Sequence, residues 1–98
     1  VARVELAPEV ADDVDRILNH LAEYEVADAT SRLQDIIAAM DVLERNPLIG
    51  PPGPAGNREL VIGRGARGYV ALYRYAAAID TVFVLAVRSQ READFPRP

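Results

Sequence analysis

The sequence predicts an α+β fold: an N-terminal strand and an α-helical hairpin packed on a small antiparallel sheet, in the order β-α-α-β-β-β. Three observations predict it. Apolar residues recur at helical spacing between residues 10 and 43, period-two segments fill residues 58–88, and a run rich in Pro and Gly separates the two. The 98 residues suit one domain, 1–98, because a chain this long buries roughly two thirds of its unfolded surface in a single two-layer core.

Residues 2–6, "ARVEL", alternate and make a short first strand. Pro8 suits the first turn of a helix, and Glu9, Asp12 and Asp13 favour its positive N-terminal end. Val10, Val14, Ile17, Leu21 and Tyr24 then share one face over about four turns. After a short break Asp28 caps a second helix, whose apolar stripe is Leu33, Ile36, Ile37, Met40 and Leu43. "ERNP" (44–47) ends it, since Pro47 disfavours the helical conformation at Asn46. So short a link makes the two helices an antiparallel hairpin. His20 lies beside Asn19, off the apolar stripe, and is a surface residue.

The run "PLIGPPGPAGN" (47–57) holds four prolines and three glycines, and carries the chain from helices to sheet as an extended crossover. "RELVIG" (58–63) is the second strand, and "RGARG" (64–68), with Gly65 and Gly68, is its turn. "YVALYRYA" (69–76) places Tyr69, Ala71, Tyr73 and Tyr75 on one face and Val70, Leu72 and Arg74 on the other. "TVFVLAV" (81–87) is apolar on both faces, which marks a central strand, and Ile79–Asp80 supplies the turn before it. Two helices cover only one face of such a sheet. The tyrosines either point into the helical layer or form an aromatic stripe that a partner covers. Alternation alone leaves both arrangements open.

Composition narrows the function. Half the residues are apolar and 27% are charged, the balance of a globular chain. There is no cysteine, which excludes disulfides and thiolate metal sites, and no cofactor is expected. No apolar run reaches the ~18–20 residues of a membrane span and the N-terminus lacks a signal pattern, so a cytoplasmic location is expected. Residues 1–50 carry four Arg against eleven Asp and Glu, a net of −7; residues 51–98 carry seven Arg against four, a net of +3. All the cations are arginine, so no lysine is available as a general base. The overall charge of −4 makes direct nucleic-acid binding unfavourable outside the C-terminal half.

Four short motifs fall in order along the chain: "NPLIG" after the second helix, "RELVIG", "GYVALYRY" and "VLAVRSQRE". Together they resemble the RelE/ParE superfamily of bacterial type II toxins, and most closely the ParE branch, often labelled plasmid-stabilisation proteins. The resemblance runs from "VELAPEV" to "READFP". It implies a toxin held inactive by a co-expressed antitoxin, a DNA-binding protein encoded upstream. It also implies one of two activities, inhibition of DNA gyrase in the ParE branch or ribosome-dependent mRNA cleavage in the RelE branch.

RelE-like nucleases use lysines in the second strand, an arginine after the Gly-Tyr of the third, an arginine after the last strand and a C-terminal tyrosine. This chain has Leu60, Val61 and Ile62 in the second strand, Val70 after Gly68-Tyr69, and Phe95 near the end. Arg91, followed by Glu92, is the one match and the one catalytic candidate. A single cation does not supply 2′-hydroxyl activation, charge stabilisation and leaving-group protonation together. The expected function is therefore a binding toxin that inhibits gyrase. The alternatives are a RelE-type endoribonuclease and a degenerate, non-toxic member that still binds antitoxin. Relatives commonly carry a histidine where this chain has Ser89 and an arginine where "PPGP" follows Gly50.

The segment "RSQRE" carries Arg88, Ser89, Gln90, Arg91 and Glu92. As a catalytic cluster it lacks a base of suitable pKa, because Glu92 beside two arginines stays ionised. As a docking surface it offers Arg88 and Arg91 as forks for carboxylates. With Arg74, Tyr69, Tyr73 and Tyr75 of the third strand, these residues are the expected contacts for antitoxin or target.

Overall fold

The computed structural model describes residues 1–23, 29–63 and 68–91. Strand β1 (Arg3–Leu6) leads into helix α1 (Pro8–Glu23), followed by helix α2 (Ala29–Arg45) and strands β2 (Arg58–Ile62), β3 (Tyr69–Ala76) and β4 (Thr81–Ser89). The element order and two-layer α+β architecture are those the sequence predicts. Tyr24, the Asp28 cap, residues 64–67, Glu92 and Phe95 lie outside the described residues.

Pro8 opens α1, where its missing N–H leaves no bond unmade. The helix buries Val10, Asp13, Ile17 and Leu21, steps of three or four residues that keep one face toward the sheet. α2 buries Ile36, Ala39 and Leu43, with Leu33 and Met40 half-buried. Ile37, expected in this stripe, is 57% exposed. Adjacent helical residues are about 100° apart, so Ile36 and Ile37 cannot both face the sheet. The Asn46 N–H donates to the Val42 carbonyl, extending the helical bonding as far as Pro47 allows. The Ala2 N–H donates to Glu44 O at 2.7 Å and ties the start of the chain to the end of α2.

The sheet order is β1-β4-β3-β2, with β4 central as its two apolar faces require. β2, β3 and β4 form the expected antiparallel meander. One pairing differs from a fully antiparallel sheet: β1 lies parallel to β4, from Arg3 opposite Thr81 to Leu6 opposite Val84. Alternation reports faces and not direction. Strands joined by tight turns must be antiparallel, whereas β1 reaches the sheet through the helical hairpin and crossover and is free to run either way.

The helix-facing side of the sheet joins Ile62, Tyr69, Ala71, Tyr73, Val82, Val84 and Val87 to Val10, Ile17, Leu21, Ile36 and Leu43 in one buried cluster. Tyr75 packs against its margin. The tyrosines therefore point into the helical layer. Leu72 pairs with Ala86 but Tyr73 pairs with Val84, so Leu85 is an extra residue in β4. This β-bulge explains why Val84 and Val87 both reach the core although three positions separate them.

Candidate functional site

The sheet face turned away from the helices carries three cross-strand rows. Val61, Val70 and Arg88 form one; Glu59, Leu72 and Ala86 the next; Arg74, Phe83 and Glu5 the third. The centre is apolar and the margin is charged. Val70 and Ala86 are buried, Leu72 and Phe83 half-buried, and Val61 is 59% exposed. At the margin Arg3 pairs with Glu5 at 3.5 Å, and Arg74 Nη2 donates to the Ala55 carbonyl at 3.1 Å. With Val70 and Ala86 closed off, the apolar surface that remains accessible is Val61 with parts of Leu72 and Phe83, between charged residues at the margin.

The crossover loop is fixed to this sheet by side chains of its strands. Tyr73 is fully buried, and its hydroxyl accepts the Gly50 N–H at 2.9 Å. Arg58 Nη1 donates to Gly50 O at 2.7 Å and to Leu48 O at 3.3 Å. A Cβ at Gly50 would stand 2.5 Å from Glu59 O, so only glycine fits against β2 here.

The end of β4 shows a second arrangement. β1 stops at Leu6, where the Ala7 N–H donates to Val84 O, and the chain turns into α1. β4 continues to Ser89 with no strand beside it on that side among the described residues. The bulge at Leu85 turns both backbone groups of Val87 toward that vacant edge. Two side chains of α1 meet them. Asp13, 1% exposed, accepts the Val87 N–H at 3.0 Å through Oδ2, and Arg16 Nη2 donates to Val87 O at 3.2 Å. Arg16 Nη1 also donates to Asp13 Oδ1 at 3.0 Å, which closes the ring. Buried carboxylates are costly unless bonded in this way. Sequence reasoning placed Asp13 with the acids of the α1 N-terminus; a carboxylate at an apolar-stripe position, three residues after Val10 and four before Ile17, was the signal available.

The structure separates the expected contact residues into three groups. Tyr69 and Tyr73 are closed inside the core, which corrects the expectation that they touch a partner: they share the face of Ile62 and Leu60, beneath the helices. Tyr75 is half-buried and its hydroxyl donates to Asp80 Oδ1 at 2.6 Å, while Arg74 is exposed on the open face. Arg88 is half-buried on that same face, with Nη1 donating to Ser89 O at 3.2 Å. Gln90 is half-buried and its N–H donates to Gly68 O; Arg91 is exposed in the following turn, its N–H donating to Ser89 Oγ at 3.2 Å. Glu92 lies outside the described residues. Arg74 and Arg88 thus flank one apolar face, and Arg91 continues from its end.

A shallow groove along α1 is lined by Asp12, Asp15, Arg16, Asn19, His20 and Glu23. Among the described residues no group of three His, Asp or Glu is placed to hold a metal ion, and no helix is long and apolar enough to cross a membrane.

The sequence matches the family model described as ParE toxin of type II toxin-antitoxin system, parDE, over residues 4–94. The chain is similar in structure to one from the chromosomal ParDE toxin–antitoxin system of P. aeruginosa. The TM-score is 0.72, with 21% identity, covering 90% of this chain and 95% of that one. It is also similar to a chain of the RelBE2 toxin–antitoxin complex of Mycobacterium tuberculosis. There the TM-score is 0.58, with 24% identity, covering 91% of this chain and 98% of that one. At these identities the likeness is one of fold. No curated protein matches the sequence.

Proposed function

Because the chain belongs to the ParE toxin family of type II toxin–antitoxin systems, we propose that it arrests growth by occupying a surface of DNA gyrase and is neutralised by a cognate antitoxin. The observation that carries this reading is the open sheet face. Where RelE-like nucleases place second-strand lysines and an arginine after Gly-Tyr, this chain sets Val61 opposite Val70. The exposed Val61 beside buried Val70 favours apolar contact with protein over the handling of a phosphate. Arg74 and Arg88 at the rim supply orientation, since rim charges act on encounter and register more than on affinity.

The antitoxin reading draws on a different surface. Ile37 and Val42 are exposed on α2, and Leu48 and Ile49 are exposed just beyond it, so the helical layer keeps apolar surface for an amphipathic segment. The helices are acidic and the end of β4 is basic. An antitoxin tail lying over the hairpin and ending in carboxylates meets Arg88 and Arg91 at the far side. In this scheme the protein needs no cofactor, and its work is done in the cytoplasm.

The test is a DNA supercoiling reaction with purified gyrase. Added toxin is expected to inhibit supercoiling, and the antitoxin expressed from the adjoining reading frame is expected to restore it. Full supercoiling in the presence of a large molar excess of folded toxin would sink the gyrase assignment and leave the antitoxin pairing to be judged on its own.

A further inference from the structure

We propose that Asp13 and Arg16 are positioning residues, which hold the end of β4 in register and thereby set where Arg88 and Arg91 stand. The inference rests on the reading of Arg88–Arg91 as an antitoxin contact. It begins from the bulge. In β4 the extra residue Leu85 shifts every later residue by one position, so that Arg88 pairs with Val70 on the open face. Without the bulge Val70 would lie opposite Val87, and Arg88 would lie opposite Tyr69, on the face beneath the helices. A one-residue slip exchanges the two faces of a strand. Val84, Leu85, Ala86 and Val87 do not oppose it, since all are apolar and fit either face; what counts against it in the sequence is the burial of Arg88.

Backbone bonding works in the same direction. Beyond the bulge β4 has, among the described residues, β3 on one side only. On the other side the Val87 N–H and C=O are taken by Asp13 at 3.0 Å and Arg16 at 3.2 Å. The two side chains are one helical turn apart and joined to each other, so they present an acceptor and a donor at the spacing of one strand residue. They do for Val87 what a longer β1 would do. α1 packs against β4 more extensively than any other helix–strand pair among the described residues, so the clamp rides on an element docked against the strand it holds. Val87 directly precedes Arg88. If the clamp is removed the strand end slips or detaches, and both outcomes take Arg88 from its place beside Val70.

The proposal is tested on the full chain with Asp13→Ala and Asp13→Asn. Nuclear Overhauser contacts in the free protein read the register: wild type is expected to show Val70 beside Arg88, and Asp13→Ala to lose that contact while the β2–β3 contacts persist. Asp13→Asn, which keeps an acceptor for the Val87 N–H, is expected to retain it. Calorimetry against the antitoxin expressed from the adjoining reading frame reads the consequence. Asp13→Ala is expected to weaken binding about tenfold, equal to about 1.4 kcal/mol, and to add little in an Arg88→Ala, Arg91→Ala background. A purely structural role would lower the melting temperature and leave the Val70–Arg88 contact and the affinity of the folded fraction within about twofold; that result overturns the proposal. If Asp13→Ala does not fold, Asp13→Leu, which fills the buried site but offers no acceptor to the Val87 N–H, takes its place: loss of the contact supports the inference, and its retention overturns it. If Arg88→Ala with Arg91→Ala leaves affinity unchanged while the register still depends on Asp13, the antitoxin reading fails and the clamp stands as a register device alone.

Discussion

At the scale of single residues, the crossover loop depends on two groups that face each other. Gly50 brings its backbone against β2, and the Tyr73 hydroxyl takes its N–H inside the core. Gly50→Ala pushes a methyl carbon into Glu59 O and the Tyr73 hydroxyl, with about 1–3 kcal/mol of overpacking expected. Tyr73→Phe leaves the Gly50 N–H buried and unpaired, and about 1–3 kcal/mol is expected there as well. Urea unfolding checks both as a lower midpoint with unchanged slope. Tyr75 makes a different statement. Its hydrogen bond to Asp80, reinforced by the nearby carboxylate charge, raises the phenol above its ordinary 10.0. The folded protein therefore holds that proton more tightly than the unfolded chain. The stabilisation is complete below pH 10.0 and is lost as pH rises through the folded value. Tyr75→Phe is expected to be the less stable protein below that pH, with the gap to wild type closing in alkali. A gap that stays constant across the alkaline range would refute it.

At the scale of elements, α2 shows what periodicity does and does not carry. The pattern locates the helix and two of its three buried residues, Ile36 and Leu43, but not Ala39, and Ile36 and Ile37 are indistinguishable as letters and opposite in environment. Ile36→Ala is expected to cost about 2–5 kcal/mol, and Ile37→Ala to stay within about 0.5 kcal/mol. Thermal unfolding of the two variants side by side decides it; similar losses would mean that α2 is rotated from the orientation described. The strands were legible to within two residues, because turns and, in β2 and β3, alternation bound them. The parallel entry of β1 was not, since pairing direction depends on the route of the connection and not on side-chain order. Nor was the bulge. Bulges show in a sequence when they break an alternation, and "VFVLAV" has none to break. The site suffered the same limit: once the register of β4 is hidden, the partner of Asp13 and the face of Arg88 are hidden with it, whereas Arg74 and Arg91 could be placed at the surface from charge alone.

At the scale of the whole molecule, the core draws on both halves of the chain. α1 and α2 bring Val10, Ile17, Leu21, Ile36 and Leu43, and the sheet brings Tyr73, Val82, Val84 and Val87. On the sheet face away from the helices the molecule exposes Val61 and parts of Leu72 and Phe83 between Arg74 and Arg88, and this bears on which activity it performs. Message cleavage on the ribosome needs a base near the 2′-hydroxyl, cations around the phosphate and a donor for the leaving oxygen. Each such role contributes orders of magnitude, general acid–base catalysis alone about 10²–10⁴. Val61 and Val70 stand where RelE-like nucleases place a lysine and an arginine, and of the row only Arg88 is charged. Purified protein added to a reconstituted translation reaction is therefore expected to leave the message intact at the concentrations used in the supercoiling test. Primer extension along the message reads the result. Site-specific cuts that depend on the ribosome and vanish in Arg91→Ala would reverse the order of the two activities and make the arginine-rich end of β4 catalytic. Intact message together with unimpaired gyrase would instead place this chain among family members that keep the antitoxin surface and have lost the toxic one.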